Sequence, residues 1–165
     1  MTGSAVQVSL RPLTAHDAGE LFTLQRSAYA EQAQLHADPY LPPLTQTLGE
    51  LLAELADPAV IALGLRTGHR LVAAVRVRIR PGEGVADLGR LVVAPDLQGQ
   101  GLGTRLLLEA ERTLPDDVRE VRLFTGEHSA ANLRLYTRHG YVETHRTDAG
   151  DYQLVHLARR RTHAR

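Results

Sequence analysis

The stretch Leu91-Val92-Val93-Ala94-Pro95-Asp96-Leu97-Gln98-Gly99-Gln100-Gly101-Leu102-Gly103-Thr104-Arg105-Leu106 decides how this chain is read. An apolar strand stops at Pro95, which has no amide to continue a ladder. Alternate glycines at 99, 101 and 103 then lead into an amphipathic helix read from Gly101 to Leu114. Glycine lets a backbone turn tightly and approach a ligand, and a helix N-terminus presents free amides with about half a positive charge. Such a turn suits a phosphate. Neither common phosphate loop fits, however. The third glycine of the dinucleotide fingerprint is Thr104, or Leu106 if counting starts at Gly101, and the P-loop lysine is missing.

Upstream lie strand-like runs Val60 to Arg66, Leu71 to Arg80 and Val85 to Ala94, joined by Thr67-Gly68-His69 and Pro81-Gly82-Glu83-Gly84. Such short connections predict antiparallel pairing. In the middle run Ala73, Val75, Val77 and Ile79 alternate with Ala74, Arg76, Arg78 and Arg80, so one face is expected to pack and the other to meet solvent or substrate. Before these runs, Val6 to Leu10 reads as a strand, and Thr14 with Asp17 opens a helix to about Ala33. The three prolines between Leu35 and Pro43 predict irregular chain, and Thr45 or Thr47 caps a helix from Leu48 to Leu55. Downstream follow a strand Val121 to Thr125, a helix Ser129 to His139, and strands Tyr141 to His145 and Gln153 to Ala158. Hairpins followed by helix-strand alternation predict an α/β chain of the α+β type, a mixed sheet with helices on both faces.

Composition narrows the chemistry. At 165 residues a single domain spanning 1–165 is expected, with its core at about 6–158 and a short basic tail, 159–165, read as a solvated end. Nineteen acidic residues balance nineteen basic ones, which gives no global pull toward nucleic acid or anionic membrane. The lack of a ~20-residue apolar span or a signal-type start leads to a cytoplasmic expectation. Cysteine is absent, which excludes an enzyme thiol as nucleophile. Every basic residue counted is Arg, so lysine chemistry is excluded too. The eight histidines show no ligand spacing such as His-Glu-x-x-His, so no metal is expected.

The spacing Gln98-x-x-Gly101-x-Gly103, preceded by Leu91-x-Val93-x-Pro95, resembles the acetyl-coenzyme A loop of the GNAT superfamily of N-acetyltransferases. That resemblance implies a mixed, mostly antiparallel sheet of six to seven strands flanked by about four helices in α/β/α layers. It implies acetyl-CoA as co-substrate, held by main-chain groups of Leu91, Val92 and Val93 and by Gln98, Gly99, Gln100, Gly101, Leu102, Gly103 and Thr104. The expected activity is transfer of an acetyl group to a primary amine of a small molecule or peptide, an acyl-CoA-dependent N-acetyltransferase of the EC 2.3.1 type. A longer acyl donor, or a CoA-binding regulator without catalysis, are the alternative readings. Homodimers are common in that family, and nothing in the residues shows one independently.

Ser129 to Tyr141 reads as a helix capped by Ser129 and ended by Gly140, with Asn132 and Tyr136 on one face. The position of Tyr136 resembles the family's helix tyrosine, which implies a general acid beside the coenzyme sulfur. A phenol of pKa ~10 can protonate a thiolate whose acid lies near ~8.5. Many relatives carry Asn seven residues before this tyrosine; here Ser129 stands there and Asn132 four before, so both are candidate pantetheine contacts. The attacking amine must lose a proton. Asp87, eleven residues before Gln98, is one candidate base, and reads equally as an exposed strand-start carboxylate; Glu127 and His128 are its rivals. The segment carrying His36, Asp38 and Tyr40 is the candidate acceptor site by resemblance, and otherwise a surface crossover.

Overall fold

Alternating apolar residues in the central strands fix a sheet on which everything else is mounted. A computed structural model of the protein describes residues 7–162. It has strands β1 (Ser9–Pro12), β2 (Val60–Thr67), β3 (Arg70–Arg80), β4 (Val85–Val93), β5 (Glu120–Gly126), β6 (Val142–Asp148) and β7 (Gln153–Arg160). Helices α1 (Ala18–His36), α2 (Pro42–Thr45), α3 (Leu48–Ala56), α4 (Leu102–Arg112) and α5 (Ala130–Arg138) connect them. The sheet order is β1-β2-β3-β4-β5-β7-β6, and among the described residues only β4 and β5 run parallel. The expected architecture is the one observed.

Local differences have physical reasons. The first strand lies at Ser9–Pro12 and includes Pro12, a residue that an edge strand tolerates; Val6 lies outside the described residues. Helix α1 continues past Ala33 to His36 and ends where Ala37 adopts φ 48°, in the left-handed region. The proline segment folds Pro42–Thr45 into one helical turn, its prolines standing at the first positions, where no amide is needed.

The largest correction concerns β3. From Leu71 to Val77 every residue is buried, Arg76 included, while Arg78 is exposed and Arg80 half-buried. The face expected to meet solvent or substrate is roofed by α1 and α3. A strand covered on both sides tolerates Arg76 only because it is paired: Nε donates to Glu54 at 3.0 Å, and Nη2 donates to Gln25 at 2.9 Å and Gln46 at 3.3 Å.

The start of the basic tail, residues 159–161, is bound to the fold rather than solvated as expected. Strand β7 carries Arg159 and Arg160, Arg159 pairs with Glu111 of α4, and Arg161 donates to the carbonyls of Pro115 and Val118 at 2.8 Å. Their flexible stems and fixed forks find acceptors at a helix end, which composition alone does not indicate.

Candidate active site

The site begins where two parallel strands part. Strands β4 and β5 pair only through Val85–Asp87 and Glu120–Arg122. Beyond that, Ala74 and Arg76 of β3 face Val92 and Gly89, so Arg90 and Leu91 together oppose Val75. This is a β-bulge, and Arg90 takes φ 52° to form it. The bulge turns β4 away from β5, and the β5-facing edge at Leu91–Val93 is left without a ladder partner. Unpaired main-chain groups on a strand edge are ready to bond an extended ligand.

Two cavities fill the opening. One, of about 430 Å³, runs from Leu91, Val92 and Val93 along Gln98, Gly99, Gly101, Leu102, Gly103 and Thr104, and reaches Ser129 and Asn132. Gly99 and Gly101 both have φ 80°, and Gly101 caps α4 without a side chain. The first bond inside α4 runs from the Arg105 amide to the Gly101 carbonyl. The amides of Leu102, Gly103 and Thr104 therefore have no helical partner. A β-carbon on Gly103 would stand 3.7 Å from Leu135 and 3.8 Å from Val93, so this turn packs at contact distance. The geometry fits a pyrophosphate at the turn and an extended arm along β4.

The second cavity, about 620 Å³, is bounded by Tyr136, Asp87, Arg90, His36, Asp38 and Tyr152 among others. Tyr29, Gln32, Leu91 and Asn132 line both cavities and mark where they meet. Tyr136 is 5% exposed, and burial raises its pKa, with Tyr29 adding to the effect, so it stays protonated at neutral pH. The Tyr141 ring meets it edge-on at 5.8 Å, and the Tyr141 hydroxyl donates to Glu111 at 2.8 Å. The carboxylate that receives Arg159 thus also steadies the ring behind Tyr136.

Of the residues singled out from sequence, Gln100 and Tyr40 line neither cavity, and Tyr40 is 78% exposed. Ser129 is buried but does not cap α5 with its side chain; its hydroxyl turns to Gln32 of α1 instead. Asn132 reaches Thr125 of β5 at 3.4 Å. Asp87 lines the second cavity with its oxygens accepting from Arg80 at 2.6 and 2.9 Å. Glu127 accepts from the Gln153 amide at 2.8 Å and lies 3.6 Å from Arg146; neither it nor His128 lines either of these two cavities.

His36 and Asp38 act as a clamp on the cavity wall. Nδ1 of His36 is 2.9 Å from the Gln32 carbonyl, and Nε2 accepts the His128 amide at 3.1 Å, which assigns the proton to Nδ1. Its ring packs on Tyr152 at 4.6 Å. The Tyr152 hydroxyl donates to Asp38 at 2.7 Å, holding that carboxyl below its ordinary range, while burial and Asp38 push Tyr152 up to about 12. Gly126 makes this possible: a β-carbon there would fall 2.1 Å from His36 Nε2. Gly126→Ala is expected to expel the ring and destabilise the fold by about 1–3 kcal/mol in a denaturant titration. An unchanged midpoint would show that the ring moves aside freely.

Sequence reasoning missed Tyr29, Gln32 and Arg90. The first two are ordinary-looking positions on one face of α1, and Arg90 carries no mark of its positive φ.

A splayed pair of parallel strands, a glycine turn with open amides and a buried tyrosine on the wall of the adjoining cavity define a mixed α/β fold opened at its parallel strands to take a long, phosphate-bearing ligand. Residues 21–141 match the family model described as the acetyltransferase (GNAT) family, and the chain belongs to that family. Among solved structures, it resembles the PaiA N-acetyltransferase of Thermoplasma acidophilum in complex with coenzyme A. That pair shares 19% identity with TM-score 0.76 over 94% of this chain and 99% of the other. The ribosomal-protein-alanine N-acetyltransferase of Escherichia coli is similar at 18% identity, TM-score 0.75, with 96% of each chain covered. A spermidine N-acetyltransferase chimera from Vibrio cholerae and hSSAT aligns at 18% identity, TM-score 0.72, covering 93% and 95%. At these identities the likeness is one of fold.

Proposed function

We propose that the protein transfers the acetyl group of acetyl-CoA to a primary amine by direct attack. The observation that carries this reading is the unpaired β4 edge opening, in one continuous cavity, onto the free amides of Leu102 to Thr104. Coenzyme A in the Thermoplasma neighbour supports the donor class. Main-chain groups of Leu91 to Val93 align the thioester, and the Val93 amide meets the oxyanion as the amine nitrogen bonds to the carbonyl carbon. As the carbon–sulfur bond breaks, Tyr136 gives its proton to the departing thiolate, and the second proton shed by the newly bonded nitrogen restores the phenol. The ammonium proton leaves beforehand toward Asp87 by way of a water, since Arg80 already holds the carboxylate on both oxygens. Of the candidate bases, Asp87 is favoured because it lines the acceptor cavity.

Calorimetry with acetyl-CoA and with butyryl-CoA, followed by a free-thiol assay on amines, tests the proposal. Acetyl-CoA is expected to bind, and its thiol to be released only when an amine is present. No binding at millimolar donor overturns the reading; equal turnover of butyryl-CoA overturns the acetyl assignment alone.

A further inference from the structure

The charges lining the acceptor cavity do not balance in use. Glu54 is bonded to Arg76 and to Gln46, Asp87 is forked by Arg80, and Asp38 accepts from the Tyr152 hydroxyl and the Tyr40 amide. Arg90 is different. It is partly buried, lines the second cavity, and makes no ion pair among the described residues. It stands on the bulge with φ 52°, a conformation costly for a residue with a β-carbon, next to Leu91 where the two cavities meet. Its guanidinium lies within hydrogen-bonding reach of the Tyr29 phenol, a neutral partner, and close enough for its charge to act on the buried Arg76. A second cation near a buried arginine is unfavourable unless something anionic arrives to meet it.

We propose that Arg90 binds a carboxylate on the acceptor, so that the substrate class is an amine that also carries a carboxylate, such as a free amino acid. The inference rests on the acetyltransferase reading and names the acceptor for it. A guanidinium matches a carboxylate with two parallel N–H donors, which fixes orientation as well as affinity. Placed beside Leu91, it would hold the acid near the thioester while the amine on the same small molecule faces the reacting carbon. A nearby cation also favours the neutral amine over the ammonium, the form that attacks. Polyamines and peptide N-termini lack a carboxylate beside the amine and would meet only repulsion there.

The test compares free amino acids with their carboxamides and with spermidine in the thiol-release assay. In parallel, acetyl-CoA affinity is measured by calorimetry on wild type, Arg90→Asn and Arg90→Lys. Asparagine suits a positive φ and removes the charge; lysine keeps the charge without the fork. Acids are expected to exceed carboxamides roughly ten- to hundredfold in kcat/KM. Arg90→Asn should erase that ratio, Arg90→Lys should restore part of it, and acetyl-CoA affinity should be unchanged in both. Carboxamides or spermidine turning over as well as the acids overturns the proposal, as does an acid-to-amide ratio that survives Arg90→Asn, or no turnover of any acid. With acetyl-CoA binding intact, these results remove only the acceptor class; loss of acetyl-CoA binding in the wild type removes the donor reading and this one with it.

Discussion

Glu54→Ala is expected to destabilise the protein by about 3–5 kcal/mol, because it strands a buried charge. Arg76 has a side chain 3% exposed and a pKa lowered by desolvation, and among the described residues Glu54 is its only anionic partner. The remaining contacts, Gln25 and Gln46, are neutral. For a chain of this size that loss corresponds to a fall of about 10 °C in melting temperature. The opposite deletion should cost less. Arg76→Met fills much of the same volume, and it leaves Glu54, whose side chain is 22% exposed, near solvent and still bonded to Gln46. Thermal and urea unfolding of the two variants check the order, and Arg76→Met falling as far as Glu54→Ala would refute the stranded-charge account. The same network has a functional reach. Gln25 also donates to the Pro43 carbonyl at 2.8 Å and to Gln46 at 3.0 Å, so the proline segment bordering the second cavity hangs from this arginine.

That network shows where reading a sequence stops. The glycine turn was legible because positive φ selects glycine, and the helix that carries Tyr136 because Gly140 ends it in the left-handed region, although Ser129, read as its cap, turns to Gln32 instead. The antiparallel pairing of β2, β3 and β4 followed from their hairpin turns. Arg76, by contrast, alternates with Arg78 and Arg80 and looks like them, but it meets Gln25, 51 residues away, and Glu54, 22 away, on helices that roof it. Burial by a distant element leaves no local pattern. The bulge at Arg90 is silent for a related reason: an arginine there costs backbone energy that only the tertiary arrangement offsets. Glu127 read as a cleft carboxylate because it follows the β5 strand end, yet the chain turns there and spends it on the Gln153 amide. Position after a strand does not say which way a side chain faces.

Tyr136→Phe is expected to lower kcat about a hundredfold while acetyl-CoA affinity and melting temperature hold. The size follows from the leaving group. General-acid catalysis contributes about 10²–10⁴-fold, and a thiolate whose acid lies near ~8.5 departs unaided far more readily than an amide anion, which puts the effect at the low end. Stability should survive because phenylalanine keeps the edge-on contact with Tyr141, itself fixed through Glu111. The pH profile separates an acid from a packing residue. Burial raises the Tyr136 pKa above 10.0, so in wild type the phenol remains a donor throughout neutral and mildly basic pH. Above 10 the unfolded chain ionises this tyrosine first, so the native state binds more protons and folding stability declines as pH climbs. That decline should be smaller in Tyr136→Phe. At neutral pH the deficit in kcat should be flat, and it should shrink when the acyl group is presented on a thiol more acidic than coenzyme A, which needs no proton to leave. A variant that keeps full turnover with acetyl-CoA at every pH shows that the proton reaches sulfur from water, and reduces Tyr136 to part of the cavity wall.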